Sequence, residues 1–209
     1  MSESSETTVL LERLRAGDAR AAAELFARYR DRLYRMVRLR LDRRLQGRVD
    51  PSDVLQEAYL DVARRLPEYL ADPAVPLYLW LRFLTGQRLL ALHRHHLGAQ
   101  MRDAGQEVSL YRGALPQATS MSLAAQLLGR FTLPSQAAVR AEMQLRLQEA
   151  LHGMDPIDRE VLTLRHFEEL SNSETAQVLG IQKSAASNRY VRALGRLKDV
   201  LNKMPGFFD

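Results

Sequence analysis

The sequence predicts an all-α protein: two small helical domains, a four-helix N-terminal one and a C-terminal helix-turn-helix, joined by a linker. Three observations lead there. No stretch sustains a period of two and β-branched residues are sparse, so strands have no support. Helix-start signals recur at Asp50-Pro51, Asp155-Pro156 and the Ser171/Glu174 pair. Between residues 98 and 140, Gly98, Gly105, Gly113, Pro116, Gly129 and Pro134 stand among scattered Ser, Thr and Gln. A structureless loop of that length inside one compact domain is improbable, so it divides the chain. The expected parts are a domain over 8–98, a linker over 99–138 and a domain over 139–204.

The elements follow in order. Residues 9–16 form a short first helix, broken at Gly17-Asp18, and Asp18 can cap the next. Residues 19–45 read as one long helix with Leu25, Leu33, Met36, Val37 and Leu41 near one face, ending at Gly47. Asp50 caps a third helix, with Pro51 at its first position and Asp53 in its first turn, running to about residue 66. Three prolines make 67–76 a loop, and a fourth helix covers 77–97. The linker has room for one short helix at 123–128. Helix resumes near Ala137, Asp155 caps another, and Ser171 with Glu174 has capping-box spacing before the next, which Gly180 closes. The last helix covers 183–201.

Bulk properties narrow the function. A hydrophobic fraction of 46% suits a globular chain. With 0 cysteines there are no disulfides and no thiolate metal sites, as a reducing cytoplasm allows. The acidic start, with Glu3 and Glu6, is the opposite of a signal peptide, and no apolar run approaches membrane-spanning length. A cytoplasmic protein without membrane insertion is expected. The net charge of +5 is unevenly placed. Arginines crowd residues 28–48, no acid occurs from 73 to 102, and Lys183, Arg189, Arg192, Arg196 and Lys198 crowd the last helix. Basic stripes separated by acidic stretches suit a polyanion plus a second surface.

Two constellations carry function. In the C-terminal block, Ala186, Tyr190, Leu194 and Leu197 make one apolar face against Val161, Leu164, Ala176, Leu179 and Ile181. Lys183, Ser184, Ser187, Asn188, Arg189 and Arg192 then lie toward the other side, as in a helix-turn-helix reading a DNA major groove. Asn188 can pair bidentately with adenine and Arg192 with guanine, while Lys183, Arg189 and Arg196 suit phosphates. In the N-terminal block, Asp53, Gln56 and Glu57 share one helical face, with Val54, Leu55, Ala58, Val62 and Leu66 nearer the other. The fourth helix interleaves aromatics with cations, and Trp80 and Phe83 suit either base stacking or the core. There is no phosphate loop, dinucleotide fingerprint or His-Glu-x-x-His, and His93 and His96 share a helical face that His95 leaves. No enzyme, cofactor or metal is expected.

These blocks carry a resemblance. Leu25-Phe-Ala-Arg-Tyr-Arg-Asp-Arg-Leu-Tyr34, Asp50-Pro-Ser-Asp-Val-Leu-Gln-Glu-Ala-Tyr-Leu60, Leu79-Trp-Leu81 and residues 151–201 resemble, in order, regions 2 and 4 of bacterial RNA polymerase sigma factors of the extracytoplasmic-function (ECF) group. The resemblance implies a factor that directs core polymerase to promoters and opens them. A stand-alone helix-turn-helix regulator is the alternative. By position, Asp53, Gln56 and Glu57 would face the β′ clamp helices. Trp80, Gln87, Arg88 and Arg94 would lie near the −10 element, with an unstacked base held around 67–76. Lys183, Ser184, Ser187, Asn188, Arg189 and Arg192 would read the −35 element, in a domain that also touches the β flap. An anti-sigma protein or other regulator is a further implied partner. The chain departs from the pattern at Ala91, where the family commonly has an acid, at Gly86, which costs a helix about 1 kcal/mol relative to Ala, and in its longer linker.

Overall fold

The computed structural model describes residues 5–97, 115–129 and 137–203. Among these, every regular element is helical, and the chain divides into two compact units, Met1–Pro116 and Gln117–Asp209.

In the first unit α1 (Ser5–Arg15) packs on α2 (Arg20–Arg40), which packs on α3 (Pro51–Ala71) and α4 (Leu77–Leu97); α3 and α4 also pack together. Leu25, Leu33, Met36 and Val37 of α2 are buried, as are Val54, Leu55, Ala58 and Val62 of α3 and Leu77, Leu81, Leu84 and Leu89 of α4. Asp50 caps α3 as expected, its carboxylate accepting from the Ser52 N–H at 2.7 Å.

Three boundaries differ from the sequence expectation, the first being that α1 begins at Ser5 rather than Val9. The long second helix stops at Arg40 rather than near 45, because Leu41 turns to extended backbone and the chain then winds to bury both Leu41 and Leu45. Asp42 stabilises that turn: its carboxylate accepts from the Arg44 N–H at 2.8 Å, and its own N–H donates to His93 Nε2 at 3.2 Å. The third helix runs through Pro67 to Ala71, so the expected loop over 67–76 shrinks to 72–76. Burial of Leu66 and Tyr69 carries it across, with Tyr69 stacked on Trp80 at 4.6 Å between ring centroids and donating to the Val75 carbonyl at 2.9 Å. At Gly86 α4 continues unbroken, and the missing side chain makes room for Leu115: a Cβ there would lie 1.7 Å from Leu115 Cδ2.

In the second unit α5 (Ser120–Leu128) packs on α6 (Ala137–His152), and α6, α7 (Pro156–Leu162) and α8 (Asn172–Leu179) all pack on α9 (Lys183–Asn202). The short helix expected at 123–128 begins at Ser120, because the Thr119 hydroxyl accepts from the Ser122 N–H at 3.1 Å. Its Leu123, Ala124, Leu127 and Leu128 are buried, so this part of the expected linker belongs to a core. Asp155 caps α7, which passes into one π-helical turn, Thr163–Phe167. The capping box forms in full: Glu174 N–H donates to Ser171 Oγ at 3.2 Å, and Ser171 N–H to Glu174 Oε2 at 2.7 Å. Gly180 takes the left-handed conformation, φ 59°, that closes α8.

Candidate DNA and partner interfaces

The helix-turn-helix is built from α8, the turn through Gly180 and Ile181, and α9. Two bonds fix the turn: Ile181 N–H donates to the Ala176 carbonyl at 3.0 Å, and Asn172 Nδ2 donates to the Lys183 carbonyl at 2.8 Å. Arg165 lies 5.0 Å from the Tyr190 ring, adding a cation–π contact beneath α9. The buried side of α9 is Ala186, Ala193 and Leu197, with Tyr190 half-buried. The expected Leu194 is instead 37% exposed, since spacings of seven and four from Ala186 follow the helical period more closely than a run through 194.

Lys183, Ser184, Ser187 and Asn188 are all exposed, as the sequence suggested. Arg189 and Arg192 are engaged differently from the expectation. Asp158 of α7 is buried, and it takes both guanidiniums: Arg192 Nε and Nη2 donate to its two oxygens at 2.6 and 2.8 Å, and Arg189 Nη1 donates at 2.6 Å. Arg189 also reaches Asp155 at 3.3 Å, and Arg196 donates to the Gly153 carbonyl at 3.2 Å. These three arginines therefore form a flank of α9 tied back to its own unit. Hydrogen bonds from Arg192 hold the Asp158 carboxyl below the usual carboxylate range, outweighing burial, with Arg189 adding to the effect. Asp158 was not foreseen as a site residue. Its signal was its spacing: with Val161 and Leu162 it occupies positions i, i+3 and i+4, which puts an acid on an apolar face.

On α3, Asp53, Gln56 and Glu57 are exposed together on one face, joined by Leu60, itself 53% exposed. On α4 the four expected residues separate. Gln87 and Arg94 are exposed, and Gln87 Oε1 accepts from Arg65 Nη1 at 3.5 Å. Arg88 ties α4 to α3 through Asp61, with Nη2 donating at 2.7 Å and Nε donating to the other oxygen, and lies 3.7 Å from Glu57. Trp80 is buried and its ring stacks on Tyr69, so in this structure it packs in the core. His93 is buried too. Burial pushes its pKa down, which keeps Nε2 neutral and able to accept from Asp42. Among the described residues no cluster of potential metal ligands occurs, and no helix is long and apolar enough to cross a membrane.

The Sigma-70, region 4 family matches residues 144–197, which contain the whole turn and most of α9. The chain is 30% identical over 184 residues to the ECF RNA polymerase sigma factor SigD of Mycobacterium tuberculosis, covering 88% of this chain and 78% of that protein. It is 32% identical over 198 residues to the ECF RNA polymerase sigma factor ShbA of Streptomyces griseus, covering 92% and 95%. Among solved structures, CnrH in complex with the cytosolic domain of CnrY shares the fold, with a TM-score of 0.52, 22% identity and coverage of 93% and 96%.

Proposed function

The chain belongs to the ECF RNA polymerase sigma factors, which direct core polymerase to promoters, and from that premise we propose how its residues divide the work. Residues 8–98 act as region 2 and residues 139–204 as region 4. Asp53, Gln56 and Glu57 dock on the β′ clamp helices, presenting a compact acidic face at the start of α3. Gln87 and Arg94 contact the −10 DNA, Arg88 holds α4 against α3 beside them, and the loop over 72–76 is where an unstacked base is received. Lys183, Ser184, Ser187 and Asn188 enter the major groove of the −35 element, with Asn188 the bidentate reader of an adenine. Arg189 and Arg192, anchored on Asp158, steady α9 and approach phosphates from its flank.

The observation that carries this reading is the helix-turn-helix itself: a complete capping box, a left-handed Gly180 and an open α9 face, all inside the segment that matches Sigma-70, region 4. The chain's contribution is recognition, and the chemistry of RNA synthesis belongs to the polymerase, in the cytoplasm. CnrH was solved with the cytosolic domain of CnrY. By analogy, an anti-sigma protein or other regulator that binds this chain is a further expected partner.

Reconstitution with core polymerase tests the assignment. Charge reversal, Asp53→Lys with Glu57→Lys, is expected to weaken core binding at least tenfold, about 1.4 kcal/mol. Asn188→Ala should leave core binding intact and cost about 1–3 kcal/mol of discrimination at one −35 base pair. Promoter-dependent initiation unchanged by both sets would overturn these residue roles.

A further inference from the structure

On the open side of α9, Val191 presents a side chain with no hydrogen-bonding chemistry. Ser184, Asn188, Val191 and Gly195 recur at spacings of four, three and four, which makes a single stripe along the helix. Val191 is 66% exposed, more than any other large apolar side chain among the described residues. Within the described residues of the second unit nothing covers it. Ser187 and Asn188 precede it by one turn, and one turn later a Cβ at Gly195 would meet no atom within 4 Å. The guanidinium of its neighbour Arg192 is turned to Asp158 on the flank. The stripe therefore offers a hydroxyl, an amide, an isopropyl group and a bare backbone, in that order.

If α9 enters the major groove, as the proposed function has it, this stripe faces the base edges. An isopropyl group there can neither donate nor accept, and beside the polar edges of adenine, guanine or cytosine it would strip water from them with nothing in return. The one apolar group on that edge of the duplex is the C5-methyl of thymine. We propose that Val191 packs on a thymine methyl in the −35 element, so that the factor selects thymine at one position by its methyl group alone. This rests on the groove reading of α9. It adds a determinant that the polar residues Lys183, Ser184, Ser187 and Asn188 do not supply.

Thymine and uracil differ only by that methyl group, which makes the test chemically clean. The −35 sequence preferred by holoenzyme, assembled from core polymerase and the full chain, is first obtained by selection from randomised duplex. Each thymine in it is then replaced by uracil, one at a time, and holoenzyme affinity is measured. The expected result is one position where uracil weakens binding about fourfold, the worth of one buried methyl group. Val191→Ser holoenzyme should bind the thymine and uracil duplexes alike at that position, with unchanged core affinity and helical circular dichroism confirming that the variant folds. Val191→Thr, which keeps one methyl, should retain part of the difference. Uracil tolerated at every position by the wild type, while Asn188→Ala still alters −35 selection, would overturn the role of Val191 and leave the groove reading standing. A uracil effect that survives Val191→Ser would assign the methyl contact to another residue and also overturn it. Selection that yields no −35 preference would bring down the groove reading and the proposal together.

Discussion

Asp158 decides where two of the arginines of α9 point. Asp158 is 2% exposed and its carboxylate receives three donors from Arg189 and Arg192, so the fold commits to its charged form. Asp158→Asn keeps the shape, halves the acceptor capacity and leaves Asp155, 3.3 Å from Arg189, as the nearest remaining countercharge for the two guanidiniums. Breaking a buried pair costs about 3–5 kcal/mol. Arg192 is more than half exposed, so solvent screens part of that, and a loss of about 1–3 kcal/mol in thermal unfolding of the second unit is expected. The pH dependence has a definite sign. The Asp158 pKa is lowered in the folded state, so its contribution is fully present above the ordinary carboxylate pKa of about 4 and is lost as pH falls through the lowered value. Wild-type protein should therefore shed stability over that acid range, and Asp158→Asn should lack this component of the slope. Equal acid slopes in the two proteins would remove Asp158 from the account. The same residue shows why side-chain roles are less legible than patterns. The sequence displays Arg189 and Arg192 as free cations on a basic helix, and only the approach of α7 reveals the acid that meets them.

Local signals decided most element starts. Asp50, Asp155 and the Ser171–Glu174 box each place a backbone-directed oxygen at a helix head, and all of them form the bonds their spacing promised. Ends were less legible, because tertiary burial decides them. α2 stops at Arg40 because Leu41 and Leu45 find a core beyond the turn, and α3 ignores Pro67 because Tyr69 is held by Trp80 and the Val75 carbonyl. Pro67 itself is exposed within the helix. Its ring removes a backbone donor that the Ala63 carbonyl would otherwise meet. Alanine in a helix interior is favoured over proline by about 3 kcal/mol, offset by about 1 kcal/mol from the freer unfolded chain. Pro67→Ala is therefore expected to stabilise the first unit by about 1–2 kcal/mol in urea unfolding. A destabilised variant would mean that the proline ring is itself a packing element.

At the scale of the whole chain, the sequence placed a divide between residues 98 and 140, and the glycines and prolines there justify the reading. They could not show which side would claim the apolar residues inside it. Leu115 fills the space left open by Gly86, and the Pro116 carbonyl accepts from Arg40 Nη1 at 3.0 Å, so the first unit extends past its fourth helix. Thr119 caps α5, whose Leu123, Leu127 and Leu128 are buried in the unit that holds Met143, Leu147 and Leu151 of α6, so the second unit starts well before residue 139. Each fully buried leucine is worth about 1.5–3 kcal/mol, against a total of about 5–15 kcal/mol for a small domain. A second unit without α5 is therefore close to the limit of folding. We expect a fragment of residues 117–209 to melt as one cooperative helical transition. A fragment of residues 139–209 should melt at least 10 °C lower or without cooperativity, as a loss of several kcal/mol requires in a domain of this size. The measurement is circular dichroism at 222 nm against temperature, alongside binding of the selected −35 duplex. Coincident melting curves for the two fragments would show that α5 only lies against α6, and the folding unit would then coincide with the functional one at residue 139.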